Sequence, residues 1–170
     1  VTYHLEGELV PVLHVELDKV PVYFEQHILL WKHPAVTIGI KSLAGAFKRI
    51  LSGMPVFMTE ASGPGHIAFS RDGAGHIVSM HLKAGQTVEV REHQFLAATG
   101  GVDYTFQRVK GIANLLMGGT GFFIDRFHAA RGEGIVWLHG YGNVFEVTLA
   151  AGEYAIGTRN SATVYVDGTG

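Results

Sequence analysis

The sequence predicts an all-β protein, a duplicated sandwich or closed barrel-like roll with two short connecting helices. Three observations predict it. An internal repeat runs through the chain, glycines punctuate it at turn spacing, and the runs between them are short and rich in β-branched residues.

The repeat is clearest when Gly65–Gln86 is set above Gly132–Glu153, an offset of 67 with no gap. Six of the 22 positions are identical: Gly65/Gly132, Gly73/Gly140, Gly75/Gly142, Leu82/Leu149, Ala84/Ala151 and Gly85/Gly152. Apolar matches such as Phe69/Val136, Ile77/Val144 and Val78/Phe145 fill the spaces between them. Upstream, Gly53–Met58 matches Gly119–Ile124 at an offset of 66. A third, divergent copy opens the chain, where Leu13–Leu17 resembles Val78–Leu82. The chain therefore reads as one compact unit of three repeats, 1–40, 41–107 and 108–166, the last shortened at its end.

Each element has a local reason. Val12–Leu17, Ile77–Leu82 and Val144–Leu149 mix apolar and polar residues over strand-length runs. Gly73-Ala74-Gly75 and Gly140-Tyr141-Gly142 lie between such runs and read as hairpin turns, because glycine takes the positive φ that tight turns need. Lys83-Ala84-Gly85 and Ala150-Ala151-Gly152 read as the following turns. In Ser42–Leu51, Leu43, Phe47, Ile50 and Leu51 share one helical face, with Ser42 as N-cap and Gly53 beyond the end. Lys110–Met117, ending at Gly118-Gly119, is its counterpart. Ala162–Val166 reads as a last strand.

Composition narrows the function classes. Charged residues make up 16% of the chain, below the roughly 25% of an ordinary soluble domain. The 23 glycines and 47% hydrophobic content fit a turn-rich chain with a real core. Low charge with high apolar content points to an outer surface covered by a partner, most simply another copy. A net charge of −2 lacks the basic surplus of a nucleic-acid binder. The lack of cysteine excludes disulfides, thiolate metal sites and cysteine nucleophiles, and fits a reducing compartment. No signal peptide is visible and no apolar run approaches the ~18 residues of a membrane span. The chain starts at Val1 without a methionine, so a preceding segment is expected.

No catalytic constellation emerges. Ten histidines suggest metal, yet His-x-His is absent, and His76 and His81 are five apart, on opposite faces of a strand. His14 shares a face with Glu16, but no second histidine lies nearby in sequence. The expectation is surface or satisfied core histidines, with no catalytic, cofactor or metal residue assigned. The Gly-x-Gly pairs at 63/65, 73/75, 119/121, 132/134 and 140/142 precede strands rather than helices, so they read as turns and not phosphate cradles. Gly39-Ile40-Lys41-Ser42 only faintly evokes a phosphate loop. Glu89, Glu92 and Glu133 have no paired base, and no Gly-x-Ser-x-Gly elbow exists. Lys41, Lys48 and Arg49 make the first predicted helix basic, as a helix on an anionic membrane would be, but it is short and its twin at Lys110–Met117 is nearly uncharged, so packing on the β core is expected. Arg126 and Arg131 flank Phe127, a thin basis for base stacking.

Gly63–Ile67, Phe95–Thr99, Gly132–Leu138 and Leu149–Glu153 together resemble the altered-inheritance-of-mitochondria (mitochondrial biogenesis) family, over roughly Leu5 to Glu153. The resemblance implies a fold similar to the tryptophan RNA-binding attenuator protein: duplicated β-sandwich units of double-stranded β-helix type, often oligomeric. It also implies a link to membrane organisation in eukaryotic relatives, and a bacterial cytoplasmic member without a settled activity. It carries no functional residues and no cofactor. Against the family pattern, the run after Glu153 is short, so closure of the last repeat is expected to differ.

The function expected is a non-enzymatic, self-associating scaffold, cytoplasmic or peripheral to a membrane assembly. Two other classes stand beside it. One is a small-molecule or metal-dependent β-roll using His14 or His76, and the other is an RNA-binding oligomer, which the charge balance disfavours.

Overall fold

A computed structural model describes residues 1–41, 58–108, 123–150 and 164–166. The predicted helices at 42–51 and 110–117 lie outside the described residues, as do Lys48 and Arg49. The rest is β structure, as the repeat and its glycines predict. The strands are β1 (Thr2–Glu6), β2 (Val12–Leu17), β3 (Val22–Phe24), β4 (Leu29–Lys32), β5 (Thr37–Lys41), β6 (Met58–Ser62) and β7 (Gly65–Phe69). They continue with β8 (Gly75–Leu82), β9 (Thr87–Arg91), β10 (Phe95–Thr99), β11 (Asp103–Arg108), β12 (Phe123–His128), β13 (Gly134–Tyr141) and β14 (Val164–Val166). A 3-10 turn, Gln26–Ile28, leads into β4. Among the described residues no helix is long and apolar enough to cross a membrane.

Three antiparallel sheets result. The first has the order β1-β2-β7-β4, the central one β5-β6-β3-β10-β13-β8, and the third β11-β12-β9-β14. The middle strands of the central sheet, β3, β10 and β13, are buried on both faces. One core cluster joins Leu13, Val15, Ile67 and Phe69 of the first sheet to Val22, Phe24, Leu96 and Trp137 of the central sheet. The other joins Tyr23, Phe95, Val136 and Leu138 of the central sheet to Val88, Val90, Tyr104 and Phe127 of the third. Side chains alternate across a strand, so Val22 and Phe24 face one layer while Tyr23 faces the other. In β10 all five residues are buried, which is why Phe95–Thr99 reads as an unbroken apolar run. A register shift between Phe95 and Ala97 lets the consecutive Leu96 and Ala97 serve the same cluster.

Two sequence expectations are corrected. The turn at Gly73–Gly75 does not close a hairpin: β7 belongs to the first sheet and β8 to the central sheet, so it turns a corner between layers. It meets the repeat-related turn at 140–142 instead. Gly75 lies opposite Tyr141, and the Gly142 amide donates to the Ala74 carbonyl at 3.1 Å. Val144–Leu149, the repeat-mate of β8, forms no strand; residues 143–150 are exposed.

The repeats interlock by a rule. β2 of the first repeat pairs with β7 of the next. β8, the repeat-mate of β2, pairs with β13, the repeat-mate of β7. Val144–Leu149 is the repeat-mate of β8 in the third repeat, and no further repeat follows it within the described residues.

Candidate functional site

The outer face of the first sheet gathers the polar residues. Along β1, alternation puts His4 and Glu6 on the same face, and register sets His4 opposite His14 and Thr2 opposite Glu16 on β2. On the other side of β2, His14 lies opposite Ala68 and Glu16 opposite His66. The inward alternates Leu13, Val15 and Ile67 fill the core. Apolar inner residues thus fix the register that brings three histidines together.

His14 is the hub. Only 8% exposed, it has both ring nitrogens engaged: Nδ1 lies 2.9 Å from His66 Nε2, and Nε2 lies 3.1 Å from Glu6 Oε2. The carboxylate fixes the tautomer. Nε2–H of His14 donates to Glu6, so Nδ1 accepts from Nε2–H of His66. His4 stacks on His14 with ring centroids 4.5 Å apart, and Trp31 presents an edge contact at 5.8 Å. Burial, then the neighbouring His4 and His66, lower the His14 pKa below its ordinary value, while Glu6 pulls the other way. The ring is therefore held neutral. One ligand atom from each of His4, Glu6 and His14 lies within 4.8 Å of the other two.

The remaining residues singled out from sequence are dispersed. His81 bonds the hydroxyl of Tyr3, which alternation puts on the other face of β1 from His4, at 2.9 Å, and His76 Nδ1 donates to the Gly142 carbonyl at 3.0 Å. Lys41 ends β5; its Nζ sits 3.3 Å from Glu60 and 4.4 Å from the centre of the Tyr23 ring. Glu89 faces Arg126 at 3.7 Å and Asp103 faces Arg131 at 3.0 Å, so both arginines have carboxylate partners. Phe127, between them in sequence, is fully buried and presents no ring for base stacking. Elsewhere, Asp125 is buried against the Tyr104 hydroxyl at 2.7 Å, and burial pushes its carboxyl up to about 6. His139 is fully buried, its Nε2 donating to the Gly73 carbonyl at 3.2 Å.

A second surface feature is apolar. After β13 the chain exposes Tyr141, Val144, Phe145, Val147 and Leu149, with Phe145 82% and Val147 73% accessible. Among the described residues β1 is an edge strand, paired only with β2.

A family model described as mitochondrial biogenesis AIM24 matches residues 3–169. The chain belongs to the AIM24 family. The fold has a solved counterpart: the crystal structure of a Streptococcus pyogenes protein superposes with a TM-score of 0.64 at 21% identity, covering 87% of this chain and 68% of that one. No curated protein matches the chain. AIM24 membership agrees with the resemblance drawn from Gly63–Ile67 and Gly132–Leu138, and it assigns no role to the histidine cluster.

The sequence reading missed His4 and Glu6. Their signal was present: His-x-Glu occurs at His4–Glu6 and again at His14–Glu16, on two runs separated by a turn containing Gly7. Antiparallel pairing of two such runs stacks their polar faces.

Proposed function

We propose that this AIM24-family protein is a non-enzymatic β-scaffold that assembles with further copies of itself. The observation that carries the reading is the repeat rule. β2 pairs with β7 and its repeat-mate β8 pairs with β13, the repeat-mate of β7, whereas among the described residues Val144–Leu149, the next in that series, pairs with no strand. Its counterpart in the middle repeat, β8, is paired along its whole length with β13. An exposed apolar strand-like run is a template for pairing with another chain. The matching acceptor is the open edge of β1, the first strand of the first repeat, in a second copy. Such a contact is head-to-tail and closes into a ring or continues as a chain. A cytoplasmic, membrane-peripheral setting, which the family resemblance implies, belongs to the same proposal.

Native mass spectrometry tests it. The wild-type chain is expected as a discrete oligomer. Val147→Pro, which removes a backbone donor from the joining strand, should shift it to monomer without lowering the melting temperature of the fold itself. A wild-type chain that is monomeric under native conditions overturns the proposal. So does a Val147→Pro chain that remains oligomeric.

A further inference from the structure

We infer that His4, Glu6 and His14 form a binding site for one divalent transition-metal ion of the zinc, cobalt and nickel class, with His66 as a positioning residue. The donor set selects the class. Two imidazoles and one carboxylate suit these metals, whereas magnesium and calcium want oxygen donors. The geometry is close to that of a formed site. His14 Nε2 and Glu6 Oε2 are 3.1 Å apart, about the edge expected between two ligands with metal bonds of ~2.1 Å. The outer bound of 4.8 Å on the set exceeds the ~4.2 Å that two such bonds can span. Side-chain torsions of the exposed His4 and Glu6 close that difference.

His14 is held in place before any ion arrives by burial and by Trp31, and His4 leaves its stack on the His14 ring to turn a nitrogen toward the ion. His4 and Glu6 are exposed, so water can fill the open coordination positions. Binding shifts protons without changing their number on the two rings. The ion displaces the His14 Nε2 proton to solvent, the His66 Nε2 proton passes along the hydrogen bond to His14 Nδ1, and His66 takes a proton from solvent at its own Nδ1, so that His14 Nδ1–H then donates to His66 Nε2. A partner that orients a ligand ring in this way is worth about 10- to 100-fold in metal affinity. The hydrogen bond between His14 and His66, at 2.9 Å, therefore reverses direction when the ion binds. All three ligands come from β1 and β2, so the ion clips an edge strand to its neighbour.

The test is titration of the full-length chain, stripped with chelator, with cobalt(II) chloride. Visible d–d absorption and isothermal calorimetry report binding, and melting temperature reports folding. One tight equivalent is expected, with a rise in melting temperature. His14→Ala and, because Glu6 is exposed and its loss spares the core, Glu6→Gln should each weaken binding at least about 10-fold. His66→Ala should weaken it by about the same factor and change the absorption spectrum, and His66→Gln, whose side-chain oxygen still accepts from Nδ1–H, should restore both. His81→Ala should have no effect. The inference fails if the wild-type chain takes up no cobalt. It fails equally if Glu6→Gln and His14→Ala both retain the full equivalent, since the ion would then sit on other histidines.

Discussion

Asp125 points into the layer between the central and third sheets, where Tyr104 and Phe127 also lie. Its carboxyl ionises at about 6 in the fold against 3.8 in an unfolded chain, because burial outweighs the hydrogen bond from Tyr104. A raised folded-state value means that stability is complete below about pH 4 and falls as pH rises through about 6, by up to ~3 kcal/mol. Asp125→Asn keeps the acceptor for the Tyr104 hydroxyl and removes the charge. Thermal melts should find the variant more stable than wild type at neutral pH and about equal near pH 4; equal stability at both would sink the assignment. His139 acts oppositely. Burial lowers its pKa from 6.5, so its contribution is present above that value and lost on acidification. Among single residues, sequence could show His14 with Glu16 on one strand face, and the twin His-x-Glu pattern would have added His4 and Glu6. His66 could not be found that way, being 52 residues from His14 and brought beside it only by the pairing of β2 with β7.

At the scale of elements, the paired turns at Gly73–Gly75 and Gly140–Gly142 need glycine for two different reasons. Gly142 has φ +73, a conformation costing a β-branched residue about 1–3 kcal/mol, with open space around it. Gly75 has no positive φ; a Cβ there would collide with the Gly140 carbonyl oxygen across the β8–β13 ladder. Gly142→Val should therefore fold with a lowered melting temperature, whereas Gly75→Val should separate the two turns and lose the folded state. Equal melting temperatures for both variants and wild type would show that the turns do not touch. Strand existence was legible where a run packs on one core: Val12–Leu17 has the bounds read from its pattern. The corner at Gly73–Gly75 was not, because a hairpin and a crossing between layers need the same turn residues. Val144–Leu149 was not either, because its pattern states that it can pair and not whether a partner is present.

For the whole molecule, the order of layers sets the order of stability. The middle strands of the central sheet are covered on both sides by two core clusters, so their amides should exchange only on global unfolding. Hydrogen exchange is expected to protect β3, β10 and β13 most and β1, an edge strand with exposed side chains, least. Protection of β1 equal to that of β10 would contradict the layering. The central sheet also draws strands from all three repeats, from β3 at Val22 to β13 at Tyr141. Contacts so distant in sequence make folding slow, on the millisecond-to-second scale.

The interlocking of successive repeats also bears on how such a chain could have arisen. In a lone ancestral repeat, the strand corresponding to β8 would have found the neighbour that β13 now provides only in an identical molecule. The pairings of β2 with β7 and of β8 with β13 would then be former contacts between separate molecules, made permanent when the gene was duplicated and fused.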